Sequence, residues 1–182
     1  MKRMTLFVLV LICSIASQAT AQPRPFSHEV EGSAGFFHAQ DADTGTINAD
    51  VSYGYYLGDQ AWQVGIEQGL DWKIVDDQED VWTASTVPFL NYHFLTDDPS
   101  NTVIPFIGVF GGAIYNDDDG TGTIGPRAGV KIFVSDNTFV GAKYRYEWFF
   151  DDLDLDNISD ESSEGNHVVA ISLGYNWGGE GR

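Results

Sequence analysis

The sequence predicts an all-β fold: one eight-stranded antiparallel up-and-down transmembrane β-barrel over residues 22–182, behind a secretory signal peptide at residues 1–21. Three observations predict it. Eight segments alternate apolar and polar residues with a period of two. One of the two faces this creates has no charged side chain, while the other collects the charges. The chain also opens with the three parts of an export signal.

That signal reads Met1-Lys2-Arg3, an apolar run from Leu6 to Ile15, and Ser17-Gln18-Ala19-Thr20-Ala21, with cleavage expected after Ala21. The run is too short for a spanning helix, and no later stretch approaches the roughly 20 apolar residues one needs. Cys13 lies inside the signal and follows Ile12 rather than a small residue, so no lipid anchor is expected. The mature chain has no cysteine, which excludes a disulfide framework and a thiolate metal site.

The strands are expected at 28–38, 46–57, 61–71, 81–94, 103–115, 124–134, 139–150 and 167–177. Each approaches the roughly 9–11 residues of a tilted spanning strand. The first turns Glu29 and Glu31 to one side. The second sets Ile47, Ala49, Val51, Tyr53 and Tyr55 against Asp50 and Gly54, and the third sets Trp62, Val64, Ile66 and Leu70 against Gly65 and Glu67. Pro88 interrupts the fourth, where it removes a ladder donor and predicts a bulge or local bend. The fifth is apolar on both faces; its orientation stays open, with Phe106 and Phe110 as candidates for the lumen.

The sixth strand opposes Ala128, Val130 and Ile132 to Arg127, Gly129 and Lys131. The seventh opposes Val140, Ala142, Tyr144, Tyr146 and Trp148 to Gly141, Lys143, Arg145 and Glu147. The eighth carries Val169, Ile171, Leu173 and Tyr175 outward, with Gly174 on the other side. A one-residue slip would move these charges onto lipid, at roughly 2–4 kcal/mol for each Arg or Lys near the midplane.

Short turns are expected after strands two, four and six, at Gly58-Asp59, Asp97-Asp98-Pro99 and Asp136-Asn137. Longer acidic loops are expected at the other end, including 76–80, 117–120 and 151–165. Large aromatics form two bands. Trp72, Trp82, Tyr115 and Trp148 lie towards the loops, and Tyr55, Trp62, Tyr92, Phe94, Tyr175 and Trp177 towards the turns. Two such bands fit membrane interfaces. A soluble lipocalin-like barrel, with its apolar face inward, is disfavoured by these bands and by the glycines studding the charged face.

In its signal, its eight-segment plan and above all Gly125-Pro126-Arg127-Ala128-Gly129-Val130-Lys131, Ser135-Asp136-Asn137 and the closing Leu173-Gly174-Tyr175-Asn176-Trp177, the chain resembles the small eight-stranded outer-membrane β-barrels: OmpA-type transmembrane domains, OmpX-like and opacity-like porin-family proteins. The resemblance implies residence in the outer membrane of a Gram-negative cell. It also implies contact with outer-membrane lipids and lipopolysaccharide, and passage through the barrel-insertion machinery. Family members usually end on an aromatic residue, whereas Gly178 to Arg182 follow Trp177 here.

An eight-stranded lumen is just wide enough to be filled by side chains. Glu29, Glu31, Asp50, Glu67, Arg127, Lys131, Lys143, Arg145 and Glu147 are therefore read as a charge network that plugs it. The alternative reading of the same residues is a small gated ion channel whose pairs exchange partners. Structural filling is preferred because narrow lumens are usually filled.

With Lys2 and Arg3 gone, 7 basic residues face 27 acidic ones, which excludes nucleic acid as a partner. Asp152, Asp154 and Asp156 resemble the start of a calcium loop. Asn157 replaces its glycine and Ser163 its bidentate Glu, so a weak cation-binding loop is the most they predict, and no metal or cofactor is assigned. A third reading, a lipid A deacylase-type enzyme, needs a serine activated by histidine. None of His28, His38, His93 and His167 is followed two residues later by the serine of that family's motif, and His93 is read as a structural hydrogen-bonder. The chain is thus read as a monomeric, non-enzymatic structural and surface-interaction protein. Its acidic extracellular loops would carry any ligand contact.

Overall fold

A computed structural model describes residues 26–38, 44–58, 61–75, 81–96, 98, 101–116, 120–150 and 165–179. The signal and Asp152, Asp154 and Asp156 lie outside the described residues. Eight strands follow one another: β1 (His28–His38), β2 (Thr44–Leu57), β3 (Trp62–Val75), β4 (Val81–His93), β5 (Val103–Tyr115), β6 (Gly120–Phe133), β7 (Thr138–Phe150) and β8 (Gly165–Trp177). Each pairs antiparallel with its neighbour, and β1 pairs with β8 to close the barrel.

The registers fix the barrel's shape. Following them from Glu29 once around the barrel returns to β1 ten residues further along. With ordinary strand rise and spacing, that stagger over eight strands means a tilt of about 40°. It falls within the range of membrane barrels.

Polarity is inverted relative to a water-soluble domain. Glu29, Glu67, Arg127 and Lys131 are 1–5% exposed, while Val169, Ile171 and Leu173 are 58–75% exposed. A soluble barrel would bury the second set and solvate the first. The outward positions of all eight strands hold no Asp, Glu, Lys or Arg.

Two expectations change at the level of the ladder. Three of the four connections expected to be long shrink to four or five residues, at 39–43, 76–80 and 116–119, because the strands run on. The pairs Thr44↔Val75, Lys73↔Val81 and Tyr115↔Gly120 extend the sheet there, and β-branched Thr44, Thr46, Thr121 and Thr123 suit it. Only 151–164 remains long at that end, while 94–102 at the opposite end is longer than a tight turn.

Pro88 makes no bulge. It pairs with Ile66 in an unbroken β3–β4 ladder; on the β5 side, pairing skips Val87 and Pro88 and resumes in the same register. The missing donor interrupts hydrogen bonding without inserting a residue. Pro126 does likewise between Ile124↔Trp148 and Arg127↔Arg145.

The open orientation of β5 resolves with Ile104, Phe106 and Phe110 inward and buried. Glycine on the adjoining strand makes this possible. Phe106 lies opposite Gly129, where a Cβ would meet the ring at 2.6 Å, and Phe139 lies opposite Gly174, where it would meet the ring at 2.0 Å. Each ring occupies the space a side chain would need.

Candidate functional site

The lumen side chains stack in tiers. Nearest the chain termini, Lys131 Nζ lies 2.7 Å from both carboxylate oxygens of Glu29. Tyr56 donates its hydroxyl to Glu29 at 2.5 Å, Gln63 donates to the same carboxylate at 2.8 Å, and Asn91 donates to Gln63 at 3.1 Å. Lys131 also donates to the Tyr56 hydroxyl at 3.0 Å and sits 5.1–5.5 Å from the ring centroids of Tyr56, Phe106 and Phe139. This cation and anion are each saturated, as burial at this depth demands.

Aromatic rings pack together at that end. Phe26 stacks on Phe133 at 6.2 Å, Phe133 meets Phe139 at 5.5 Å, and both cluster with Ile104. His93 packs between the rings of Tyr56 and Phe106, at 5.3 and 5.5 Å.

The middle tier centres on one carboxylate. Glu67, 1% exposed, contacts Lys143 at 2.9 Å, Arg127 at 3.5 Å and, closely, Arg145. Lys143 also reaches Glu31 at 3.5 Å, and Arg145 pairs with Glu147 at 2.7 Å towards the loop end. Arg127 has no second carboxylate among these contacts; its guanidinium lies 4.4 Å from the Phe89 centroid. Asp50 accepts a hydrogen bond from Ser33. All nine sequence-derived lumen residues thus lie on the inner wall, eight of them joined in two clusters.

Among the described residues, no group of three or more His, Cys, Asp or Glu side chains has metal-holding geometry. The sequence did not single out Tyr56, Gln63 and Asn91, which complete the Glu29 tier, nor the contact on the outer wall where Gln68 and Thr86 are hydrogen-bonded to each other and to Tyr115. Gln68 and Thr86 were visible only as single polar residues on an otherwise apolar parity.

A closed eight-stranded barrel with an apolar, girdled exterior and an ionised interior defines an outer-membrane β-barrel protein. The family model for the outer membrane protein beta-barrel domain matches residues 5–177, and the chain belongs to that family. It resides in the outer membrane. None of the curated proteins compared with the chain matches it.

Solved structures share the fold at low identity. Neisserial surface protein A matches with a TM-score of 0.53 and 14% identity, over 84% of this chain and 96% of its own. OprG from Pseudomonas aeruginosa matches with a TM-score of 0.53 and 8% identity, over 89% of this chain and 100% of its own. The Yersinia pestis outer membrane protein Ail matches with a TM-score of 0.52 and 14% identity, over 84% of this chain and 100% of its own.

Proposed function

We propose that this barrel is a structural and surface-interaction protein, with a lumen closed by its own charged side chains. Residues 1–21 direct export, and the barrel begins at residue 22. The chain termini face the periplasm, and the acidic connections at the opposite end face outward, where they contact lipopolysaccharide or an extracellular ligand. The barrel-insertion machinery assembles it. One observation carries the closed lumen: Glu29 and Lys131 are locked bidentately above an aromatic floor, where both are almost wholly buried.

The same packing weighs against a conducting path, because an ion would have to break a saturated pair and displace Phe133 and Phe139. It also weighs against hydrolytic chemistry. Among the described residues, the rings of His28, His93 and His167 contact aromatic side chains, and none of the three pairs with a serine as an activated nucleophile requires. Single-channel recording of the refolded mature barrel in a planar bilayer tests the closed lumen. Heat-dependent gel mobility first shows that the barrel has folded, and a silent bilayer is the expected result. Reproducible current steps that change on substituting Lys143 or Arg145 would replace the plug with a gated channel.

A further inference from the structure

We propose that the barrel self-associates in the membrane through the outer face of β3, β4 and β5, with a second copy of this chain as the partner and the Gln68 carboxamide at the contact. Gln68 is exposed on the outer wall between Trp62 and Trp72, which mark the two aromatic bands on β3. It therefore lies within the hydrocarbon layer, where polar groups have no water to bond. Thr86 donates to the Gln68 carbonyl at 2.8 Å, Gln68 donates to the Tyr115 hydroxyl at 3.0 Å, and Tyr115 completes the ring to Thr86 at 3.1 Å.

The ring uses three hydrogens and leaves one. Gln68 has two amide hydrogens and spends one, and its carbonyl keeps a second lone pair. Lipid chains satisfy neither. A primary amide is self-complementary, one donor beside one acceptor. A two-fold rotation about the membrane normal brings the same amide of a second copy to the same depth, in the isologous arrangement usual for dimers.

The shape of this face agrees. Ala84, Pro88, Gly111 and Ala113 occupy the outward positions around the triad, and small residues let two backbones approach until buried amides meet. Towards the chain termini the face continues as an apolar groove of about 520 Å³ between Trp62 and Tyr144, with Ile107, Val109 and Pro126 along its walls. The opposite side of the barrel differs on both counts. There β8 presents the bulky Val169, Ile171 and Leu173, and the outward hydrogen-bonding group next to Val169 on that face, His167, is engaged by the Tyr144 hydroxyl of the same barrel at 2.7 Å. This proposal departs from the monomer expected from sequence.

The mature chain has no native thiol, so single-cysteine crosslinking is clean. The mature barrel carrying Ala113→Cys, and separately Val169→Cys, is refolded into phosphatidylcholine vesicles at high lipid dilution and treated with a short bis-thiol reagent. Dimer is expected from Ala113→Cys and not from Val169→Cys. Adding Gln68→Leu to Ala113→Cys should lower the dimer yield at least five-fold while heat-dependent gel mobility still reports a folded barrel. Equal crosslinking at both positions, none at either, or an unchanged yield with Gln68→Leu would each overturn the proposal. Should the Gln68→Leu barrel not fold, the contrast between Ala113→Cys and Val169→Cys decides alone.

Discussion

Among the described residues, Glu67 is the one carboxylate that three cations share, so neutralising it is the sharpest perturbation of the lumen. Glu67→Gln keeps the shape of the side chain and removes its charge. Lys143 retains Glu31 and Arg145 retains Glu147, but Arg127 is left with the rings of Phe89 and Phe106. Removing one partner of a buried ion pair costs about 3–5 kcal/mol, because the remaining charge stays buried. With a denaturant slope of about 2 kcal/mol/M in urea, the unfolding midpoint should fall by about 1.5–2.5 M. Urea titration of the barrel refolded in vesicles, followed by tryptophan fluorescence, reads this directly. A double-mutant cycle sharpens it. Lys143→Met should destabilise the parent barrel clearly yet cost much less in the Glu67→Gln background, since its main partner is already gone. A midpoint shift below about 0.3 M for Glu67→Gln, or strict additivity with Lys143→Met, would refute the claim that these contacts stabilise the fold.

Two further substitutions probe the walls rather than the lumen ion pairs. Gly174→Ala places a methyl group in the ring of the fully buried Phe139, which has nowhere to move, and should cost about 1–3 kcal/mol by overpacking. In a Phe139→Ala background the same change should be nearly silent; equal penalties in both backgrounds, by urea unfolding, would disprove the slot. Ile171→Arg puts a charge on the outer wall of β8 near mid-membrane, at about 2–4 kcal/mol. Its folded fraction in vesicles should drop accordingly, whereas an unchanged fraction would mean that this face does not meet lipid.

The strands, their inward and outward parity and the identity of the lumen charges were legible in the sequence, because lipid on one side and a narrow lumen on the other impose strict alternation. Alternation fails where both sides want carbon. Strand β5 is one such place, since its lumen face supplies rings for cations rather than countercharges: Lys131 and Arg127 both lie near Phe106. Nor could the sequence say which acid meets which base. Glu67 and Arg145 are 78 residues apart and meet only because the ten-residue stagger brings β3 and β7 to one height across the lumen. The loop-end extensions were missed for a milder reason. Thr and Gly at strand ends read equally well as loop, and only pairing with the neighbouring strand decides. Gln68 and Thr86 show the reverse limit: one polar residue per strand does not break a pattern, yet two on paired strands make a cluster.

The distribution of the ion pairs bears on how the barrel closes. Among the described residues, the seam between β1 and β8 has six register pairs, from His28↔Trp177 to Ser33↔Ser172, while β7 and β8 share eleven. A seam with about half the ladder of its neighbour is the weakest line in the wall. Both lumen carboxylates of β1 reach away from it, Glu29 to Lys131 on β6 and Glu31 to Lys143 on β7. Strand β1 is thereby held from across the lumen as well as from its edges. In an unclosed sheet β1 is held only by β2, and Glu29 and Lys131, 102 residues apart, have no reason to meet. Closure and charge burial must then occur together, since a closed barrel with either partner missing would trap an unpaired ion. The lumen ion pairs and the seam are parts of one cooperative unit.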